Sequence, residues 1–262
     1  MDLELTGKRA LITGSYRGTG AGLARVLARE GTAVWVHGFE LEAAERVAQS
    51  IREEGHEAHA VAGDIRTDEG ARDVAESVGE IDILVNNYGV AEGGSWQSPT
   101  SDWIDIYHKN VLSGVRLIQA LTPGMRERGW GRVIFLSTFG YVRPNSRMPH
   151  YYASKTALIN MTVSLAKEFA NTGITVNCVS PGIIATEEIR EMFRRRAERE
   201  GEATDWPTLE KKIAAGNMPN PAGIVGDPED IGHLIAFLAS DKARYINAAN
   251  LRIDGGSADT IQ

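Results

Sequence analysis

Apolar residues along this chain fall into short runs and longer periodic stretches, and the two alternate. Short runs rich in strand-forming residues recur at 10–13, 33–36, 58–62, 81–85, 133–136, 174–179 and 251–253. Six of these seven are apolar on both faces, as strands buried in a parallel sheet must be. Between them, apolar positions three and four apart predict helices over 18–30, 40–54, 68–78, 101–128, 151–171 and 227–240. Strand and helix alternate along the whole chain, which predicts an α/β fold: a parallel sheet with helices on both faces. No linker rich in Pro, Gly or Ser divides the chain, and no repeat or low-complexity tract interrupts it. The alternation lapses once, over 183–226. There a charged helix at 187–202 is followed by Trp206-Pro207, a second short helix and Pro219-Asn220-Pro221. An insertion of this length in a compact domain reads either as a lid or binding loop or as a solvated helical excursion.

Composition narrows the class. The 262 residues are enough for a sizeable core, and one α/β unit can run to about 250 residues. Lys and Arg total 28 against 35 Asp and Glu, a formal net charge of −7. That sign is opposite to the basic surplus of a nucleic-acid binder, so no nucleic-acid partner is expected. One Cys cannot form an internal disulfide. No apolar run approaches the ~20 residues of a membrane helix, and the first eight residues lack a signal-peptide apolar region. A cytoplasmic protein without membrane association is expected. The 28 glycines slightly exceed the usual share of about 7%, and their positions matter more than their number.

Thr13-Gly14-Ser15-Tyr16-Arg17-Gly18-Thr19-Gly20 follows the first strand and opens a helix. Glycines there let the backbone turn sharply and approach a pyrophosphate. The helix N-terminus then offers free N–H groups and the positive end of its dipole. The spacing is G-x-x-x-G-x-G rather than G-x-G-x-x-G, so the loop gains its meaning from its place after strand one. Gly14, Ser15, Tyr16, Arg17, Gly18, Thr19 and Gly20 are its candidate cofactor contacts. The second strand ends Val36-His37-Gly38-Phe39-Glu40. An acid at the turn would bind the ribose 2′-OH of NAD, and a base the 2′-phosphate of NADP. Gly38 and Phe39 occupy the turn instead, and Glu40 falls in the next helix's first turn, where an acid suits the dipole. Arg17 could reach a 2′-phosphate; otherwise it is a solvated loop charge. NADP(H) is therefore expected, with NAD(H) as the alternative.

Tyr151 and Lys155 are i and i+4 on a predicted helix, hence on one face. A tyrosine transfers protons near neutrality only if its pKa falls from about 10. A nearby ammonium favours the phenolate and lowers it. The alternative is an ordinary exposed helix pair, with Tyr152 offset by about 100°.

Together with further motifs, these features resemble the short-chain dehydrogenase/reductase family over essentially the whole chain. The likeness rests on the loop at 13–20, Asp64 after the third strand, Asn86-Asn87-Tyr88-Gly89 after the fourth, and Asn110 in the long helix. It continues with Gly131-Arg132 before and Ser137-Thr138 after the fifth strand, Tyr151 with Lys155, Pro181-Gly182 and Thr186 after the sixth, and Asp254-Gly255-Gly256 after the last. The resemblance, closest in character to ketoacyl reductases, implies one Rossmann-like domain over 1–262: a doubly wound parallel sheet of about seven strands. It implies hydride transfer between NAD(P)(H) and a carbonyl or secondary alcohol, with a small-molecule substrate and a homotetramer or dimer built partly through 101–128 and 151–171. Residue by residue, Tyr151 would be the general acid/base, Lys155 would hold the nicotinamide ribose and lower the tyrosine pKa, and Asn110 would hold a water in a proton relay. Asp64 and Ile65 would meet the adenine, and Asn86 would support that side. Asn87, Tyr88 and Gly89 would border the cofactor. Pro181, Gly182, Ile184 and Thr186 would lie against the nicotinamide and phosphates. The 183–226 segment would wall the substrate pocket, with Ile183, Ile184, Met192, Phe193, Trp206 and Met218 facing Phe139, Tyr141 and Trp96.

Two positions depart from the family pattern. The carbonyl-orienting hydroxyl usually lies thirteen residues before the tyrosine, where Thr138 stands in place of the usual Ser; the neighbouring Ser137 also has a hydroxyl. Strand alternation points the two to opposite faces, so one should serve. Tyr88 stands where Ala is normal, and is expected to flank the cofactor or substrate pocket. Cys178 reads as a buried apolar filler. His56 and His59 lack companions for a metal site, and none is expected. Arg194, Arg195 and Arg196 read as part of a salt-bridged solvated face. A non-catalytic NAD(P)-binding sensor, or a redox-neutral epimerase or dehydratase, is the alternative on the same fold.

Overall fold

Strands β4 (Ile83–Asn86) and β5 (Gly131–Leu136) bury every residue, which requires helices on both sides of the sheet. The structure, a computed structural model, describes residues 1–216, 219–258 and 260. Among them, β4 and β5 join β1 (Arg9–Ile12), β2 (Ala33–Gly38), β3 (Ala58–Ala62), β6 (Ile174–Pro181) and β7 (Asn250–Ile253) in one sheet. Its order is β3-β2-β1-β4-β5-β6-β7 and every pairing is parallel. The order reverses between β1 and β4, and it is at such a reversal that open α/β sheets leave a crevice at their C-terminal edge. Only β7 is half-buried throughout, as an edge strand should be.

Helices α1 (Gly18–Arg29), α2 (Leu41–Glu53) and α3 (Asp68–Val78) follow the first three strands. The predicted helix over 101–128 is instead α4 (Thr100–Tyr107), a π-helical turn over His108–Leu112, and α5 (Ser113–Arg128). Helix α6 (Pro149–Glu168) starts two residues earlier than predicted, because Pro suits a helix's first turn. Helix α9 (Pro228–Ala239) precedes β7. Leu23, Leu27, Ile51, Ile231 and Ile235 from α1, α2 and α9 pack on one face of the sheet. Val74, Leu117, Leu121 and Leu158 from α3, α5 and α6 pack on the other.

The 183–226 segment carries α7 (Glu187–Glu200) and α8 (Trp206–Ala215). Ala185, Ala197, Leu209, Ile213 and Val225 form a small apolar cluster of its own. Its two ends meet: Ile184 bridges Gly226, Gly226 N donates to Ile183 O at 3.1 Å, and Ala185 N donates to Gly226 O at 2.7 Å. The arginines of α7 pair within the helix, Arg194 and Arg195 with Glu191 and Arg196 with Glu200, the solvated face expected. Met218 lies outside the described residues. Among those residues no helix is long and apolar enough to cross a membrane.

Candidate active site

The glycine loop is held from both sides. Gly14, at φ +63°, takes a backbone conformation that side chains disfavour. Its amide donates to His37 Nδ1 at 3.1 Å. Ser15 Oγ donates to Ile12 O at 2.7 Å and accepts from His37 N at 3.0 Å. From the other side, Asn87 Nδ2 donates to Thr13 O at 2.8 Å, and Tyr88 N donates to Thr13 Oγ1 at 2.9 Å. Gly20 packs tightly beneath Asn87 and Gly14. Among the described residues, no side chain caps α1 and none of its first-turn residues is acidic. By contrast α3 and α7 carry a threonine cap and two acids each. Helix α1 thus presents unspent N–H groups and an uncompensated positive dipole end beside Gly18 and Thr19, a donor set that fits a pyrophosphate.

Arg17 is exposed and faces α7, with Nη1 3.4 Å from Glu188 and its guanidinium above the Tyr16 ring. Gly38 packs against Tyr16. The Phe39 ring meets Tyr88 edge-on at 5.0 Å. Asp64 is gripped by Arg66, whose Nε and Nη2 each donate to one carboxylate oxygen at 2.8 Å. That bond holds the Asp64 carboxyl below the usual range. Ile65 is buried in the core, leaving only its backbone for a ligand. Asn86 is buried near Gly114, and its amide has no hydrogen-bond partner among the described residues.

Around Tyr151 the candidate catalytic groups converge. The Thr138 hydroxyl lies close enough to the Tyr151 phenol to act on it, and its Oγ1 accepts from Gly140 N at 3.2 Å. Ser137 points the other way and donates to the Lys155 carbonyl at 2.8 Å. Lys155 is buried, and its Nζ donates to Leu136 O at 2.9 Å. Burial pulls its pKa down to about 8, against a smaller opposing pull from Cys178. Burial raises the Tyr151 phenol, and the nearby Thr138 hydroxyl works against that rise. The expected lowering of the phenol is therefore not a property of these residues alone: desolvation outweighs the polar contacts.

Asn110 lies in the π-helical turn. Its Oδ1 accepts from Val90 N at 2.7 Å, and its Nδ2 donates to Val90 O at 3.1 Å and Ser154 Oγ at 3.0 Å. The side chain thus ties the loop after Gly89 to α6. Gly89 leaves room for the lysine, since a Cβ there would lie 2.5 Å from Lys155 Nζ and 3.1 Å from Asn110 Oδ1. Gly182 N donates to Ile253 O at 2.9 Å, fixing the turn after Pro181. Thr186 caps α7 by accepting from Ile189 N.

The expected apolar pocket facing Phe139, Tyr141 and Trp96 is arranged differently. Ile183 and Ile184 line a cavity of about 360 Å³ with Ile213, Val225 and Ile253. Trp96 is 70% exposed and lies against Trp103 at 5.5 Å. Phe193 and Trp206 pack on the segment's own cluster, and Met192 is exposed. Cys178 is buried, its thiol pushed up to about 12. His59 stacks on Trp35 and pairs with Glu57. Two residues that the sequence reading passed over belong to this region: His37, a lone polar side chain in an apolar strand, and Arg66, two residues beyond Asp64.

Residues 14–258 match the family model described as enoyl-(acyl carrier protein) reductase. The chain is 36% identical to the uncharacterized oxidoreductase YvaG of Bacillus subtilis (strain 168) over 267 residues, covering 100% of both. It superposes with a TM-score of 0.93 on the L-sorbose reductase of Gluconobacter frateurii complexed with NADPH and L-sorbose, at 32% identity and 100% coverage of each chain. A 7α-hydroxysteroid dehydrogenase complexed with NADH and 7-oxo glycochenodeoxycholic acid superposes with a TM-score of 0.85, at 28% identity and 100% and 98% coverage.

Proposed function

The chain belongs to the short-chain dehydrogenase/reductase family of oxidoreductases, and from that premise we propose that it transfers hydride between NADP(H) and a ketone or secondary alcohol, with Tyr151 as general acid/base. The observation that carries this reading is the Thr138 hydroxyl beside the Tyr151 phenol, one helical turn from Lys155.

The uncapped start of α1 and the glycine loop would hold the pyrophosphate. Asp64, Ile65 and Tyr88 would meet the adenosine, Lys155 the nicotinamide ribose, and Pro181, Gly182 and Thr186 the nicotinamide side. A dinucleotide bound there supplies or accepts the hydride. The protein's part is orientation and proton transfer. In the reducing direction, Thr138 and Tyr151 donate hydrogen bonds to the substrate carbonyl oxygen. A buried phenol with a raised pKa is protonated at neutral pH, so Tyr151 enters as donor and gives its proton to the developing alkoxide. The Lys155 ammonium stabilises the phenolate left behind. Asn110 spends its amide on Val90 and Ser154, so its contribution to a proton relay is to hold Gly89 and Val90 against Lys155.

A ketose is the first substrate to try, supported by the whole-chain likeness to L-sorbose reductase and by the polar pair of Asn145 and Tyr152 beside Tyr151. The 183–226 segment serves as the substrate lid. The same reading has the enzyme act in the cytoplasm as a homotetramer or dimer. Ile104 on α4 and Val163 on α6, apolar and exposed, support an interface there.

The test is NADPH and NADH oxidation over a panel of carbonyl compounds that includes L-sorbose. Wild type consumes NADPH, and Tyr151→Phe loses more than about a hundredfold in turnover while still binding NADPH. Substantial activity in that variant would remove Tyr151 from the role. Cofactor binding without consumption by wild type would favour a sensor.

A further inference from the structure

We infer that the preference for NADP(H) is set by Arg66, at the C-terminal end of β3, rather than by Arg17 of the glycine loop. This rests on the dinucleotide site proposed above.

Discrimination between the two dinucleotides depends on charge near the end of β2, beside the adenosine ribose. In this chain β2 ends in Gly38, and the turn that follows is Phe39 and Glu40, without a base; Glu40 is the extended residue before α2 rather than part of its first turn, as its place in the sequence suggested. Arg17 is turned toward Glu188 on α7. Arg66 is the cation that the fold brings to the β2 turn, its guanidinium 4.8 Å from the Phe39 ring centroid. Phe39 is in turn braced edge-on by Tyr88 at 5.0 Å and by His37 at 5.9 Å.

The guanidinium is fixed on one face by that ring and on one edge by Asp64. Arg66 Nε and Nη2 donate to the two carboxylate oxygens at 2.8 Å, and the Arg66 amide donates to Oδ1 at 3.0 Å. A guanidinium has five N–H donors in a planar fork. Two are spent on Asp64, and three remain along the far edge. A fork already immobilised, with its free edge toward solvent, suits a phosphate without further ordering. Two acids oppose a phosphate here: Glu40 in the turn is exposed, so solvent and salt screen it, and Asp105, which also acts on Arg66, is exposed and paired with Lys109. This arrangement also accounts for Tyr88 in place of a smaller residue: its ring braces the ledge on which Arg66 lies.

The experiment measures dissociation constants for NADPH and NADH by fluorescence titration of wild type, Arg66→Ala, Arg66→Lys and Arg17→Ala. Arg66→Ala should weaken NADPH about tenfold or more and NADH by less than about threefold, because a phosphate fork is lost and little else. Arg66→Lys should recover part of the NADPH affinity as a point charge. Arg17→Ala should leave the NADPH/NADH ratio near that of wild type. General damage to the site would weaken both dinucleotides alike, so the ratio isolates selectivity. Equal losses for both, an unchanged ratio in Arg66→Ala, or a ratio erased by Arg17→Ala would overturn the inference, as would a wild-type preference for NADH. A wild type that binds neither dinucleotide would fail the cofactor reading itself.

Discussion

His37 Nδ1 accepts the Gly14 amide at 3.1 Å while its Nε2 lies 3.1 Å from the Gly63 carbonyl. One ring therefore ties the glycine loop to the ends of β2 and β3. The Gly14 donor requires a lone pair on Nδ1, so the proton sits on Nε2 and is donated to Gly63. Burial pulls the pKa of His37 down to about 4, which keeps the ring neutral and this tautomer in place. His37→Leu should cost about 2–4 kcal/mol in urea denaturation, because it leaves a buried amide and carbonyl unpaired. It should also weaken NADPH binding. His37→Asn should recover part of the affinity. A Leu variant that binds NADPH as wild type does would show that the loop holds its shape without the imidazole.

The two adjacent hydroxyls should separate cleanly. Thr138 lies beside the Tyr151 phenol, whereas Ser137 donates to the Lys155 carbonyl. Thr138→Val should lower kcat by a hundredfold or more, as loss of a donor to a developing alkoxide does, and Thr138→Ser should restore most of it. Ser137→Ala should keep kcat within a few fold and cost about 1 kcal/mol of stability. Steady-state kinetics beside thermal melts distinguishes the two, and the reverse pattern would exchange their roles.

Gly89→Ala is a small change with a large expected effect. Its methyl would lie 2.5 Å from Lys155 Nζ, so the lysine must move. A displacement of about 1 Å in a catalytic constellation costs on the order of a hundredfold. The loss should appear in kcat with a melting temperature close to wild type. Unchanged turnover would mean that the Lys155 position is not critical.

Lys155 also predicts a pH dependence of stability. Its folded pKa of about 8 lies below the ordinary value of 10.5. Between those pH values the unfolded chain binds a proton that the folded chain does not, so stability rises with pH through that window. Below it, burying the ammonium costs about 3 kcal/mol. Lys155→Met should therefore melt above wild type at pH 7 although inactive, with the difference narrowing as pH rises from 8 toward 10.5. A constant difference across that range would assign the effect to packing instead.

The strands were legible to within a few residues because a doubly covered sheet demands continuous apolar runs, and little else produces them. Tyr151 and Lys155 were legible because a helix converts spacing into shared direction. Asn110 was found, but not the π-helical turn that turns it inward, since one extra residue barely alters periodicity across a long helix. Spacing left Ser137 and Thr138 both open, and only the packing of α6 against β5 separates them. His37 and Arg66 owe their meaning to partners on other strands and loops. For Arg17 the sequence offers a 2′-phosphate or solvent but not Glu188, because that partner comes from the excursion far along the chain.

That excursion begins and ends at one point, the bridge between Ile184 and Gly226. Because its stem is closed, the pairing at Ile184 and Gly226 is the same whatever length of chain lies between them. Lengthening a closed loop adds only a slowly growing entropic cost. The segment is thus a cassette: its contents can be exchanged for those of a relative without re-registering β6 or β7. On the function proposed above, substrate range could then diverge through the contents of the cassette while Tyr151 and Lys155 stay on the scaffold.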